Sequence, residues 1–85
     1  MLSDREKLEL IQNISNYLSS KITTFDISEH SDISFSRLGL DSMGHVELSA
    51  VIEKSVGLEV SPEFAFNYPT LNAIVKQMDL ESQTV

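Results

Sequence analysis

The sequence contains no cysteine among its 85 residues. Neither a disulfide framework nor a thiolate metal site can therefore hold the fold, which fits a reducing compartment. No apolar run approaches the roughly 18 residues of a membrane-spanning helix. The charged stretch 4–9 also leaves no room for the apolar region of a signal peptide. These absences favour a cytoplasmic protein with no membrane partner.

Basic residues are scarce as well. Six Lys and Arg stand against thirteen Asp and Glu, for a net charge of −7. Such a surface repels phosphate backbones and anionic lipid, so we expect no nucleic-acid partner. The same charge favours partners with basic docking patches, although solubility alone would also account for it.

The length suits one small domain, and the 41% hydrophobic content is that of an ordinary globular chain. We assign residues 1–80 to this domain and residues 81–85 to a flexible tail. No segment has the alternating pattern of a strand, so the sequence predicts an all-α fold.

Helical spacing of apolar residues predicts two of the main helices directly. The first covers about 4–20 and opens with an S-x-x-E capping box, formed by Ser3 and Glu6. The second covers about 42–56 and ends before Gly57, because glycine commonly follows the last turn of a helix.

Two further helices are predicted near the C terminus. Ser61 and Pro62 have the order of an N-cap and a first helical residue, which indicates a short helix through Phe66. The last main helix covers about 71–79. The expected architecture is thus a four-helix bundle of three main helices and one short helix.

The connection from 21 to 41 is unusually long for a compact domain, so we expect it to be packed or functional. It carries apolar residues that could anchor it along the core: Ile22, Phe25, Ile27, Ile33, Phe35, Leu38 and Leu40. It also carries four possible metal ligands: Asp26, Glu29, His30 and Asp32. Their spacing matches neither an EF-hand nor a zinc site, so we interpret them as solvated charge.

The second helix has two apolar faces. Its predicted core face contains Leu48, Val51, Ile52 and Val56. On nearly the opposite side lie Met43, Val46 and Ala50, hereafter the apolar strip, flanked by Glu47, Glu53 and Lys54. A surface helix normally needs one apolar stripe. The strip is therefore either a partner site or a surface covered by the first helix or the long loop.

Asp41 and Ser42 stand where the long loop becomes the second helix. The surrounding G-x-x-S-x-G differs from a hydrolase nucleophile elbow, and no strand precedes it. His45 could reach Ser42 along the helix, but one pair is not a triad, and we place His45 on the helix surface. We expect no catalytic residue and no metal site.

The start of a helix favours an anion, so a phosphate ester on Ser42 would be well placed there. Asp41 could cap the helix and leave the Ser42 side chain free to project. The residues alone leave the function open, because Asp-Ser before a helix is commonplace.

The run Phe35–Met43 reads FSRLGLDSM and resembles the attachment motif of acyl carrier proteins, F-x-x-L-G-x-D-S-[L/M]. The resemblance continues through Val46-Glu47-Leu48, Gly57-Leu58-Glu59-Val60 and Phe66-Asn67-Tyr68-Pro69-Thr70-Leu71. It implies a carrier fold whose Ser42 receives a 4′-phosphopantetheine arm from coenzyme A. Acyl groups would then be held on the arm as thioesters, while the carrier itself catalyses nothing.

The resemblance also implies the class of carrier and its partners. Leu40 stands where peptidyl carriers usually have a second glycine, and FNYPTL is similar to polyketide synthase carriers. We therefore predict a polyketide carrier, monomeric or cut from a larger synthase. Its partners would be a phosphopantetheinyl transferase and enzymes such as an acyltransferase and a ketosynthase. They would recognise Met43, Val46, Glu47, Ala50 and Glu53.

Two alternatives differ from this prediction. The first is a carrier of fatty acids or amino acids, although Gly44, Ala50 and Lys54 depart from the dense acidic helix typical of bacterial fatty-acid carriers. The second belongs to another class: a helical interaction domain in which the apolar strip binds a partner and Ser42 only helps to start the helix.

Overall fold

A computed structural model describes residues 2–22 and 25–83, and within these ranges the chain forms six helices and no strand. In chain order the helices are α1 Asp4–Lys21, α2 Ile27–His30, α3 Phe35–Leu38, α4 Ser42–Val56, α5 Phe64–Asn67 and α6 Leu71–Gln83. The predicted all-α fold and its three main helices are confirmed. None of the described helices is both long and apolar enough to cross a membrane.

The long connection contains two single-turn helices that the sequence analysis did not predict. Asp26 caps α2 by accepting from the Ser28 amide, and Ser34 caps α3 by accepting from the Arg37 amide. Helices of four residues are too short to show apolar periodicity, so only these capping residues could have signalled them. Thr23 and Thr24, in the same connection, lie outside the described residues.

The connection lies along the core, as predicted, for most of its length. Ile22, Phe35 and Leu40 are buried, whereas Ile27 is exposed and does not anchor the chain. The Phe35 amide donates to the Pro69 carbonyl at 2.9 Å. This bond ties the connection to the segment that leads into α6.

Three of the four possible metal ligands in the connection, Asp26, His30 and Asp32, have structural partners of their own. Asp32 accepts a hydrogen bond from the Asn72 side chain at 2.6 Å, and the His30 ring nitrogen accepts from the Asp26 amide at 2.9 Å. In residues 2–22 and 25–83, no three His, Asp or Glu side chains come together as a metal site.

The ends of the long helices follow ordinary capping chemistry. At the start of α1, the Glu6 amide donates to the Ser3 hydroxyl, and the Ser3 amide donates to the Glu6 carboxylate, which confirms the capping box. Hydrogen bonding from Ser3, chiefly from its amide, lowers the pKa of the Glu6 carboxyl below its usual value. Helix α4 ends at Gly57, whose positive φ of 74° suits glycine and confirms the predicted end.

Two predicted boundaries differ from the structure. Helix α5 begins at Phe64, not at Pro62, because the Phe64 amide donates to the Ser61 carbonyl and closes a turn before the helix. Helix α6 continues to Gln83 and does not end near 79. The domain boundary at 80 stays a prediction, and the tail residues Thr84 and Val85 lie outside the described residues.

The core is built where apolar stripes of the three long helices meet. Helix α1 packs against both α4 and α6, and α5 packs against α4. The buried apolar side chains of the long helices are Leu10, Ile14, Leu18, Leu48, Ile52, Leu71, Ile74 and Met78. Leu48 and Ile52 confirm the predicted core face of α4, while Val51 and Val56 are half-buried.

Leu48→Ala should lower the free energy of unfolding by about 2–5 kcal/mol, because Leu48 is fully buried and its loss leaves a cavity. Chemical denaturation measures this change. Leu8→Ala is the matched control: Leu8 is 66% exposed, so its truncation should change stability by no more than about 0.5 kcal/mol. Equal losses for the two variants would contradict the assigned core.

Candidate functional site

Asp41 fixes the first turn of α4. Its backbone is extended and its carboxylate accepts a hydrogen bond from the Gly44 amide at 2.7 Å, so the predicted cap is confirmed. Gly44 is needed at this point, since a Cβ there would lie 2.5 Å from the Leu40 Cδ1 atom. The missing side chain thus lets Leu40 pack against the helix beside its cap.

The approach to Asp41 is held by the core. Gly39 follows the last residue of α3, and its φ of 108° is in the left-handed region that glycine tolerates. The next amide, from Leu40, donates to the Phe35 carbonyl at 2.9 Å. Phe35 and Leu40 are both buried. The chain therefore enters α4 from a fixed direction.

Ser42 is the first residue of the 15-residue helix α4, and it is exposed. Asp41 supplies the cap, so the Ser42 hydroxyl is not needed for it, and no hydrogen bond holds this hydroxyl among the described residues. The first amides of a helix have no partner within it. The helix dipole and the free amides of the first turn favour an anion near this end of α4.

His45 does not lie on the helix surface, and that prediction was wrong. The side chain is buried, with 2% of its area exposed, and it contacts Phe35 and Phe66. It shares a helix face with Leu48 and Ile52, three and seven residues further along. This spacing placed His45 on the core face, so the signal was present in the sequence, and its polar side chain obscured it.

Ser49 is a second buried polar residue that the sequence analysis missed. Its hydroxyl donates to the His45 carbonyl at 3.0 Å and accepts from the Ala65 amide at 3.1 Å. The Ala65 amide lies in the first turn of α5, where it has no helical partner. Ser49 thereby joins α5 to the middle of α4.

The apolar strip is exposed. Met43 is 67% exposed and Val46 41%, and Ala50 is exposed as well, so neither α1 nor the long connection covers the strip. Its members begin immediately after Ser42. A shallow groove of about 180 Å³ borders it, lined by Val46, Ser49, Ala50, Glu53, Val60 and Pro62.

The two acids predicted beside the strip already have partners within the protein. Glu47 accepts a hydrogen bond from the Tyr17 hydroxyl at 2.6 Å and lies 3.6 Å from the Lys21 ammonium group. Glu53 accepts from the Val60 amide at 2.9 Å. Burial raises the pKa of Tyr17 above its usual value, and the hydrogen bond to Glu47 and its charge raise it further. Glu47 thus links α1 to α4.

Comparison with known proteins points to one family. The model of the phosphopantetheine attachment site matches residues 14–78. The chain is 31% identical over 84 residues to polyketide synthase PksN of Bacillus subtilis, covering 99% of this chain and 2% of that protein. It is 36% identical over 67 residues to the non-reducing polyketide synthase Dhc5 of Alternaria cinerariae, covering 78% of this chain and 3% of that protein.

The chain thus spans only a few per cent of the length of these two synthases, 2% and 3%. The family match, by contrast, covers most of the chain and includes the whole of α4. The chain therefore belongs to the phosphopantetheine attachment-site family, whose covalently attached cofactor is 4′-phosphopantetheine.

Proposed function

We propose that the chain is an acyl carrier of polyketide synthesis and that Ser42 receives the phosphopantetheine arm. The observation that carries the proposal is the exposed Ser42 hydroxyl at the first residue of α4, left free because Asp41 forms the cap. The carrier performs no catalysis in this proposal. It holds an intermediate and brings it to separate enzymes, which raises the local concentration of the intermediate at each of them.

The residues around Ser42 fit this cofactor. The helix N terminus stabilises the negative charge of a phosphodiester, and the exposed side chain leaves room for the arm. The chain has no cysteine, so the thiol that carries an acyl group as a thioester is supplied by the arm when it is attached.

The attachment is a group transfer that a phosphopantetheinyl transferase would catalyse. The Ser42 oxygen forms a bond to the phosphorus that bears the pantetheine, and the hydroxyl proton passes to a base of the transferase. The pyrophosphate bond of coenzyme A breaks, and adenosine 3′,5′-bisphosphate leaves. Asp41 keeps the first turn closed while Ser42 reacts.

A polyketide cargo is supported by both curated relatives, each of which is named a polyketide synthase. The buried Leu40 gives further support, since it fills the position where peptidyl carriers usually have a second glycine. The partners would be the transferase and synthase enzymes such as an acyltransferase and a ketosynthase. The predicted cytoplasmic location stays a prediction.

We place partner recognition on the apolar strip beside Ser42. Exposed apolar side chains next to charged ones are typical of docking surfaces. Glu47 and Glu53 lie at the edge of the strip and remain part of the proposed surface. Their bonds within the protein limit how far either can move toward a partner.

Incubation with coenzyme A and a transferase of broad specificity should add one phosphopantetheine to the protein, measured by intact mass. Ser42→Ala should abolish the adduct, because the hydroxyl that would form the phosphodiester is then absent. Ser61→Ala is the control, since Ser61 is also exposed but precedes α5, and it should be modified like the wild type. An adduct that survives Ser42→Ala would refute the assigned residue, and no adduct on the wild type would refute the carrier function.

Met43→Glu should lower kcat/KM for modification by the transferase at least about fivefold, as the loss of roughly 1 kcal/mol of docking energy implies. Circular dichroism should show unchanged helicity, because Met43 is exposed and an acid suits the first turn of a helix. Leu8→Glu makes the same change on α1 at 66% exposure and should keep the wild-type kcat/KM. Equal effects of the two variants would contradict the location of the docking surface.

A further inference from the structure

His45 is a buried polar side chain one turn away from the proposed attachment residue, and the proposed function does not yet use it. Only 2% of its area is exposed. Burying a polar ring is costly unless its nitrogen atoms find partners. The contacts of this ring show which partners it has.

One ring nitrogen is directed at the chain just before Ser42. The Nδ1 atom of His45 lies 2.8 Å from the Asp41 carbonyl oxygen. Since a carbonyl oxygen can only accept, Nδ1 must carry the proton and donate it. The other nitrogen, Nε2, faces the Ser36 hydroxyl at the long distance of 3.5 Å.

Two aromatic rings fix the orientation of the imidazole. Phe66 of α5 stacks on it with ring centroids 4.4 Å apart and planes 8° from parallel. Phe35 of α3 meets it edge-on, with centroids 6.1 Å apart. Both arrangements are favourable for aromatic rings. The ring therefore has little freedom to rotate, and Nδ1 stays directed at the Asp41 carbonyl.

This carbonyl belongs to the peptide group that joins Asp41 to Ser42. It accepts two hydrogen bonds from the same residue, one from the His45 amide at 3.1 Å and one from the His45 ring. The first turn of α4 usually frays most easily, because its amides have no partner within the helix. The ring of His45 adds a side-chain bond at that point and connects it to α3 and α5.

We infer that His45 is a positioning residue for Ser42, holding the Asp41–Ser42 peptide through its Nδ1 hydrogen so that the Ser42 hydroxyl points outward for reaction. The inference rests on the proposed function of Ser42. His45 does not touch the reacting atoms in this role. It acts through the peptide group to which Ser42 is attached.

Two substitutions of His45 separate its hydrogen bond from its packing. His45→Phe keeps an aromatic ring between Phe66 and Phe35 but removes the donor. His45→Asn keeps an N–H at a position similar to that of Nδ1 but removes the ring. Ile52→Val is the matched control, because Ile52 is fully buried on the same helix and lies about three turns beyond Asp41.

Modification kinetics with coenzyme A and a phosphopantetheinyl transferase should distinguish positioning from stability. For His45→Phe, we expect kcat to fall about tenfold with KM of the carrier little changed, since the nucleophile is misplaced while the docking surface is intact. His45→Asn should recover much of kcat despite a lower Tm. Ile52→Val should lower Tm, because it shortens a buried side chain, and it should keep the wild-type kcat.

The inference is overturned if His45→Phe reacts at the wild-type rate, or if kcat in the three variants simply follows Tm. Nitrogen-15 NMR of the unmodified wild type supplies a readout that needs no transferase. We expect the proton on Nδ1, and a proton on Nε2 alone would overturn the inference. Failure of the wild type to be modified would count against the proposed function, and the NMR result would still test the His45 contact.

Discussion

The hydrogen bond from the Gly44 amide to the Asp41 carboxylate determines where α4 begins, and the geometry around Ser42 depends on it. A side-chain acceptor stabilises the first turn of a helix, and Asp41 provides one for α4. Ser42 therefore becomes the first helical residue and does not serve as the cap. Because Gly44 has no side chain, Leu40 can pack next to this turn and attach it to the core. Ser42 is exposed, but the backbone that carries it is held on both sides.

Helix α4 has one face buried in the core and another exposed beside Ser42. Leu48 and Ile52 are buried against the rest of the domain, while Met43 and Val46 remain exposed beside Ser42. In a domain of 85 residues the core is small, so apolar surface that stays exposed to solvent lowers the stability noticeably. An exposed apolar strip on the central helix is therefore best explained by a partner that covers it for part of the time. This division agrees with a carrier that visits several enzymes in turn.

The sequence predicted those parts of the fold that long-range periodicity and simple capping chemistry determine. The three long helices, the Asp41 cap, the Gly57 end and the exposed strip all follow from such patterns. The match to the attachment-site family supports the resemblance found around Ser42. Periodicity could not reveal α2 and α3, because four residues span barely one period of an apolar stripe and cannot show that it repeats.

Other features depend on tertiary contacts. We expected His45 on the helix surface, although its spacing from Leu48 matches the core face. The aromatic rings that enclose His45 come from two other helices. Likewise, the sequence placed Glu47 beside the strip, but only the structure shows that Tyr17 and Lys21 of α1 bind its carboxylate. Polar side chains form hydrogen bonds and ion pairs within the protein according to how the helices pack. These partners therefore cannot be predicted before the packing is known.

The central claim is that Ser42, held at the start of α4 by the Asp41 cap, is the residue that carries the arm. A phosphorus–proton NMR correlation on protein loaded from coenzyme A tests it most directly. The account predicts that the phosphorus couples to the β-protons of Ser42, with the Gly44 amide still protected from exchange by its bond to Asp41. Coupling to the protons of any other residue, or rapid exchange of the Gly44 amide, would contradict it.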